Sequence, residues 1–242
     1  MKKAFITGSS RGIGKAIALR LAQDGFEVLV HCSGNTEKAD LVAKEIVESG
    51  GKASVFSANL CDINETKKIC DVVKTADVLV LNASVQYRNK WENISIEEIS
   101  NQLNCNYVSS LILIQSAVSN MKNNGWGRII TIGSVQEAKP HPDMLVYSSS
   151  KAAQTNMVKS LSLQLAQHGI TVNNVAPGVI YTDRNVEALS DPIYAKQVRD
   201  SIPVGFYGEP MDCAGVVSLL CSDGGRYITG QSIYVDGGKS VQ

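Results

Sequence analysis

The chain has 242 residues, with 23 basic and 23 acidic side chains and a formal net charge of zero. That length suits one large α/β unit with a substantial core, and the charge balance leaves no electrostatic footprint for nucleic acid or an anionic membrane. The opening "MKKAFITGSS" holds too few apolar residues for a signal h-region or a spanning helix, so the expected location is the cytoplasm.

The first seventy residues alternate between two periods. "AFIT" is a short apolar run, and "GIGKAIALRLAQDG" follows with Ile13, Ile17 and Leu21 at helical spacing. "EVLVH" comes next, then "TEKADLVAKEIVESGG", which carries Ala39, Val42, Ala43, Ile46 and Val47 on one helical face and closes on glycines. "ASVFSA" and "VLVL" (78–81) read as further strands, separated by a weaker helix around 63–73. Later strands are expected at 128–133, 170–176 and 232–236, with long helices over about 95–120 and 147–167. Strand alternating with helix, on short apolar strands, predicts an α/β fold: a single doubly wound, Rossmann-type parallel sheet of about seven strands with helices on both faces. There are no repeats or linkers, so residues 1–242 are expected to form one domain. The polar, proline-bearing stretch 183–203 breaks the rhythm after the sixth strand; it fits either a substrate lid or a pair of ordinary surface helices.

Six cysteines are scattered without a C-x-x-C pair and read as reduced thiols. His31, His141 and His168 accompany no ligand pattern, so no metal site is expected.

The strand-to-helix junction "FITGSSRGIGKAI" spaces Gly8, Gly12 and Gly14 as G-x-x-x-G-x-G. This differs from the common dinucleotide fingerprint but obeys the same physics. Glycine permits a tight turn and close backbone approach, and a helix N-terminus offers free N–H groups to a pyrophosphate. The second strand ends "VLVHCSGN" with no acid at 31–35 to grip a ribose 2′-hydroxyl or repel a 2′-phosphate, and Arg11 offers a cation. Both features favour NADP over NAD.

"YSSSK" sets Tyr147 and Lys151 one helical turn apart, on one helix face. On its own the pair fits a surface helix. Together with "TGSSRGIG", "LVLNAS", "IITIGSV", "VAPGVIYT" and "YITGQSIYVDGG" in this order, and with Ser134 thirteen residues before Tyr147, the chain resembles the short-chain dehydrogenase/reductase family over nearly its whole length. It is most similar to the 3-oxoacyl-(acyl-carrier-protein) reductase group.

The resemblance implies a catalytic tetrad of Asn106, Ser134, Tyr147 and Lys151. A free phenol, with a pKa of about 10, exchanges protons slowly near neutrality, and an ammonium one turn away would favour the phenolate. Ser134 would bind the substrate oxygen as charge develops, and Asn106, with Asn104 as the nearest competitor, would hold a water relaying protons to Lys151. Implied cofactor contacts are Gly8, Ser10, Arg11, Gly12, Ile13 and Gly14 in the turn, Asn59 and Leu60, Asn82 and Ala83, Tyr147 and Lys151, and Pro177, Gly178, Ile180 and Thr182. Departures from the family pattern are Leu81, Ser84, Asn59 and Phe206, which bear on cofactor affinity and subunit contacts more than on the chemical step.

The implied activity is NADP-dependent hydride transfer to or from a small-molecule carbonyl or secondary alcohol, with an acyl-carrier-protein-bound 3-oxoacyl substrate as the most familiar form. Gln86, Tyr87, Gln136, Glu137, His141 and Tyr181 stand in loops expected to line the pocket, and so polar a wall also suits a sugar or polyol dehydrogenase. A cofactor-binding regulatory protein without turnover is the reading from another class. Arg88, Lys90 and Lys139 are candidates for a basic patch at the mouth. Ala153, Met157, Leu161 and Leu165 form one apolar stripe of the long helix, with Val158 and Leu163 away from it; the resemblance implies a homotetramer paired through this helix and the one before it.

Overall fold

The computed structural model of the protein describes residues 1–186 and 188–242; Glu187, inside the 183–203 stretch, lies outside the described residues. Among the described residues seven strands form one sheet, every neighbouring pair parallel: β1 (Lys3–Ile6), β2 (Glu27–Cys32), β3 (Lys52–Ser57), β4 (Val78–Leu81), β5 (Gly127–Ile132), β6 (Ile170–Pro177) and β7 (Ser232–Val235). Their spatial order is β3-β2-β1-β4-β5-β6-β7. The helices are α1 (Gly12–Gln23), α2 (Glu37–Glu48), α3 (Ile63–Lys68), α4 (Cys70–Val73), α5 (Ile96–Leu103), α6 (Ser109–Asn124), α7 (Leu145–Leu165), α8 (Asp183–Val186), α9 (Pro192–Asp200) and α10 (Pro210–Cys221).

Strand side chains alternate between two cores, because successive Cβ atoms leave opposite faces of a pleated sheet. Ala4, Ile6, Val28, Val30, Val78 and Val80 pack with α1, α2 and α10. Phe5, Leu29, Leu79, Leu81 and Ile129 face the other way, toward α6 and α7. With helices on both faces, the central strands are apolar throughout: β4 is buried at every position.

Several sequence expectations need correction. The helix expected over 63–73 is two short helices, α3 and α4. That expected over about 95–120 runs to Asn124 but is broken by a π turn at Asn104–Val108 between α5 and α6. In α2, Val47 is exposed although it falls near the apolar stripe. In α7, Val158 is buried beside Met157, because that helix is covered by neighbours on more than one side, whereas Leu163 is 84% exposed. None of the six cysteines is joined in a disulfide. Burial pushes Cys213 up to about 12 and raises Cys221 further, so both behave as apolar filling of the core.

Among the described residues no helix is long and apolar enough to cross a membrane, and no group of three or more His, Cys, Asp or Glu is placed to hold a metal ion.

Candidate active site

The strand order places β1 between β2 and β4, so the chain winds outward in both directions from β1. The loops beyond the carboxyl ends of β1 and β4 part there and open a crevice. The turn from β1 to α1 forms one side of it. Gly8 and Gly12 have φ of 61° and 55°, a backbone conformation that side chains disfavour. A Cβ on Gly14 would fall 2.3 Å from the Gly8 carbonyl oxygen and 2.5 Å from Asn82 Nδ2.

Hydrogen bonds clamp this turn to β4 and β2. The Thr7 hydroxyl accepts from the backbone N–H groups of Asn82 (2.8 Å) and Ala83 (2.9 Å). Asn82 Nδ2 donates to the carbonyls of Thr7 (2.9 Å) and Gly8 (3.0 Å). His31 Nδ1 accepts from the Gly8 N–H at 3.0 Å while Nε2 lies 3.1 Å from the Ala58 carbonyl. A carbonyl only accepts, so this is the neutral ring with its proton on Nε2. Burial pushes its pKa down to about 4, with the Ala58 bond acting in the opposite sense.

The crevice is a cavity of about 920 Å³. One end is walled by Arg11, Ser33, Asn35 and Lys38 around the end of β2, with Glu37 also present; Asn59, Leu60, Cys61 and Ala83 follow. Asn59 Oδ1 already accepts from the Cys61 N–H at 3.1 Å and keeps one lone pair. The Cys61 thiol is lowered to about 7, chiefly by its hydrogen bond with Cys105, against burial. Arg11 sits at the N-cap of α1 without a side-chain cap bond, and the first turn of α1 has no acid. The N–H groups there are left for an anion, favoured by the helix dipole. Gly178 closes the wall from β6; a Cβ there would meet Asp236 at 2.7 Å. A cradle lined by glycine, an uncapped helix start and cations at the far end fits a phosphorylated dinucleotide in size and in donor set.

At the other end stand Ser134 and Tyr147, 9% and 6% exposed. Ser134 lies two residues beyond β5 in an extended conformation, and its Oγ accepts from the Gln136 N–H at 3.2 Å, which leaves its own O–H to donate elsewhere. Tyr147 and Lys151 lie on one face of α7, with Lys151 Nζ 5.6 Å from the phenol ring centre. Lys151 is 1% exposed. Its ammonium donates to the Ile132 carbonyl (2.8 Å) and to Gln154 Oε1 (3.0 Å). Asn106, in the π turn, is fully buried. Its Oδ1 accepts from the Val85 N–H (2.9 Å), and Nδ2 donates to the Val85 carbonyl (3.0 Å) and Ser150 Oγ (3.0 Å). Asn104 instead donates to the Cys61 carbonyl at 3.1 Å.

The cavity wall contains Gly8, Ser10, Arg11, Gly12, Ile13, Gly14, Asn59, Leu60, Asn82, Ala83, Ser134, Tyr147, Pro177, Gly178, Ile180 and Thr182. Lys151 and Asn106 lie behind it. Of the loop residues expected at the pocket, Gln86, Gln136, His141, Arg88 and Lys139 reach the wall. Tyr87, Lys90 and Tyr181 do not, and Glu137 turns away to hydrogen-bond Asn174 (2.9 Å) and Ser232 (2.5 Å). Sequence reasoning missed Ser33, Asn35, Lys38, Leu189, Tyr194, Val198 and Lys239 in the wall, and Gln154 behind it. Gln154 carried a legible signal, since it stands one helical turn from Lys151; the remainder are brought to the wall by loops and by other helices.

A family model described as short chain dehydrogenase matches residues 2–192. A 3-oxoacyl-(acyl-carrier-protein) reductase of Staphylococcus aureus is 39% identical over 241 residues, covering 98% of this chain and 97% of the relative. The crystal structure of a 3-oxoacyl (acyl-carrier-protein) reductase from Agrobacterium tumefaciens with NADP bound superposes with a TM-score of 0.93 at 32% identity, covering 98% of this chain and 93% of that one. That of a putative NAD(P)-dependent gluconate 5-dehydrogenase from Beutenbergia cavernae, with bound NADP, gives 0.94 at 32% identity, covering 100% and 97%.

Proposed function

The chain belongs to the short chain dehydrogenase family, and on that premise we propose that it is an NADP-dependent oxidoreductase that interconverts a carbonyl and a secondary alcohol through Ser134, Tyr147 and Lys151. The observation that carries the reading is the cluster at the end of β5: a phenol and a serine hydroxyl in the cavity wall, backed by a buried ammonium one turn along the same helix.

When bound, the reduced nicotinamide supplies the hydride. The chain's own residues do the rest. Ser134 donates its O–H to the substrate carbonyl oxygen, where negative charge develops. Tyr147 donates the proton that completes the alcohol, and takes it back in the oxidising direction. Lys151 stabilises the phenolate left behind, because an adjacent positive charge favours the ionised form. Asn106 uses both N–H groups and one oxygen lone pair on Val85 and Ser150, which leaves one lone pair for a water relaying protons toward Lys151. The preference for NADP rests on the cations Arg11, before α1, and Lys38, in α2, which would hold a 2′-phosphate, with Ser33 and Asn35 in the same wall as uncharged donors.

The substrate supported by the full-length similarity to the Staphylococcus aureus protein is a 3-oxoacyl thioester carried on acyl carrier protein. A second reading, oxidation of a sugar or polyol, is favoured by Gln86, Gln136 and His141 in the wall. The stretch 183–203 is proposed as a lid: α8, the short turn Ala188–Ser190 and α9 bring Asp183, Leu189, Tyr194 and Val198 to the cavity. A cytoplasmic location and a homotetramer complete the proposal. Leu163 on α7, which no neighbour in the chain covers, supports the second.

The test is loss of NADPH absorbance with a β-ketoacyl thioester, beside Tyr147→Phe. Turnover should fall by about a thousandfold or more in the variant with NADPH affinity retained. Turnover that survives the substitution would refute the assignment, and turnover only with polyols and NADP⁺ would move the substrate to the second reading.

A further inference from the structure

Gln154 lies one turn beyond Lys151 near the middle of α7, is fully buried, and has both ends of its carboxamide engaged. Oε1 accepts from Lys151 Nζ at 3.0 Å, and Nε2 donates to Ser110 Oγ at 3.3 Å. Ser110 Oγ in turn donates to the main-chain carbonyl of Asn106 at 3.2 Å, and Asn106 Nδ2 donates to Ser150 Oγ at 3.0 Å. The orientation of the amide is determined by chemistry, because the reversed amide would set an N–H₂ group against an ammonium that only donates. A buried glutamine in a helix interior gives up rotamer entropy and hydration, and needs these partners to be tolerated.

Building on the catalytic reading of Tyr147 and Lys151 above, we propose that Gln154 is a positioning residue that holds the Lys151 ammonium beside Tyr147 with a neutral acceptor. A buried ammonium needs acceptors for its N–H bonds. A carboxylate in this place would satisfy it and cancel its charge. The amide oxygen satisfies it and leaves the whole positive charge to act on the phenolate. Through Ser110 the same amide is tied to the π turn, so the unwound stretch that carries Asn106 and the helix that carries Tyr147 are held in one register.

The other described groups near the pair are uncharged or already engaged. From β5 the neighbour is the uncharged Ile132 carbonyl. The π turn and α6 bring the uncharged Asn106 and Ser110, while the Cys105 thiol of the same turn is hydrogen-bonded with Cys61 and Gln102 of α5 accepts from the Tyr87 N–H. From the turn after β5 come Ser134, Gln136 and Glu137, whose carboxylate is bound by Asn174 and Ser232. The loop beyond it carries Lys139, whose ammonium is bound to the Gln242 carbonyl, and His141, whose Nδ1 accepts from the Asp143 N–H.

The experiment is an ultraviolet titration of the phenolate at Tyr147, taken as the difference between each protein and its Tyr147→Phe counterpart, so that it needs no substrate. It is run on the unsubstituted chain, Gln154→Met and Gln154→Glu. Methionine fills the volume but offers the ammonium no good acceptor, so burial weakens the charge on Lys151 and the Tyr147 midpoint should rise. Glutamate neutralises that charge directly, and the midpoint should rise by about one unit or more. A midpoint unmoved or lowered in Gln154→Met overturns the proposal; if that variant does not fold, Gln154→Glu decides by the same criterion. An unsubstituted Tyr147 that titrates like an ordinary phenol, together with turnover that survives Tyr147→Phe, would instead remove the catalytic reading itself and this inference with it.

Discussion

His31 shows how much a single side chain can carry. It is the last but one residue of β2, yet it holds the Gly8 N–H and the Ala58 carbonyl at once, tying the glycine turn to the segment after β3. The ring is neutral in the folded chain, and burial lowers its pKa from 6.5 to about 4. As pH falls below 6.5 the unfolded chain takes up a proton that the folded one refuses, until the folded ring itself titrates near 4. Stability is therefore full above that window and is lost downward through it, by roughly 3 kcal/mol at its acid end. Urea unfolding at about pH 7 and about pH 4.5 should show the loss. His31→Gln, whose amide can reproduce both hydrogen bonds, should flatten it. An equal slope in the variant would move the acid sensitivity to other groups. The sequence shows His31 only as a histidine without a ligand pattern, since its two partners are brought to it by β1 and by the segment after β3.

At the scale of elements, the junction of β1 and α1 is the least tolerant piece of the fold. A side chain on Gly14 meets a backbone carbonyl and the Asn82 amide, neither of which can swing aside without freeing the end of β4. Gly14→Ala should cost about 1–3 kcal/mol in thermal or urea unfolding and weaken NADPH binding at least tenfold by fluorescence titration. Unchanged binding would mean that the cofactor lies elsewhere. The glycines were legible because spacing between a strand and a helix is a local property. The π turn at Asn104–Val108 was not. "QLNCNYVSS" has ordinary helical periodicity, and the extra residue per turn is stabilised by contacts from Val85 and Ser150, distant in sequence.

For the whole molecule, the open question is what covers the outer face of α7. Leu163 is 84% exposed there while Met157, Val158 and Leu165 are buried within the chain. In the homotetramer proposed above, light scattering should give four times the monomer mass, and Leu163→Arg should shift it toward smaller species. A monomeric unsubstituted chain would refute the assembly without touching the chemistry at Tyr147.

Periodicity and glycine spacing are encoded within about twenty neighbouring residues, and from these the sequence determined an α/β doubly wound sheet and a glycine turn at the first strand-to-helix junction; spacing set Tyr147 and Lys151 on one helix face, and the resemblance over the whole chain is what gave that pair its proposed role. Only the tertiary structure decided that Glu137 faces Asn174 and Ser232 in place of the pocket, that Tyr87 and Tyr181 stand off the wall, that Lys38 reaches the cavity, and that Gln154 is tied to Ser110 on α6. In each of those cases the partner is a loop or a second helix whose position follows from packing across the sheet, and no periodicity within one segment encodes it.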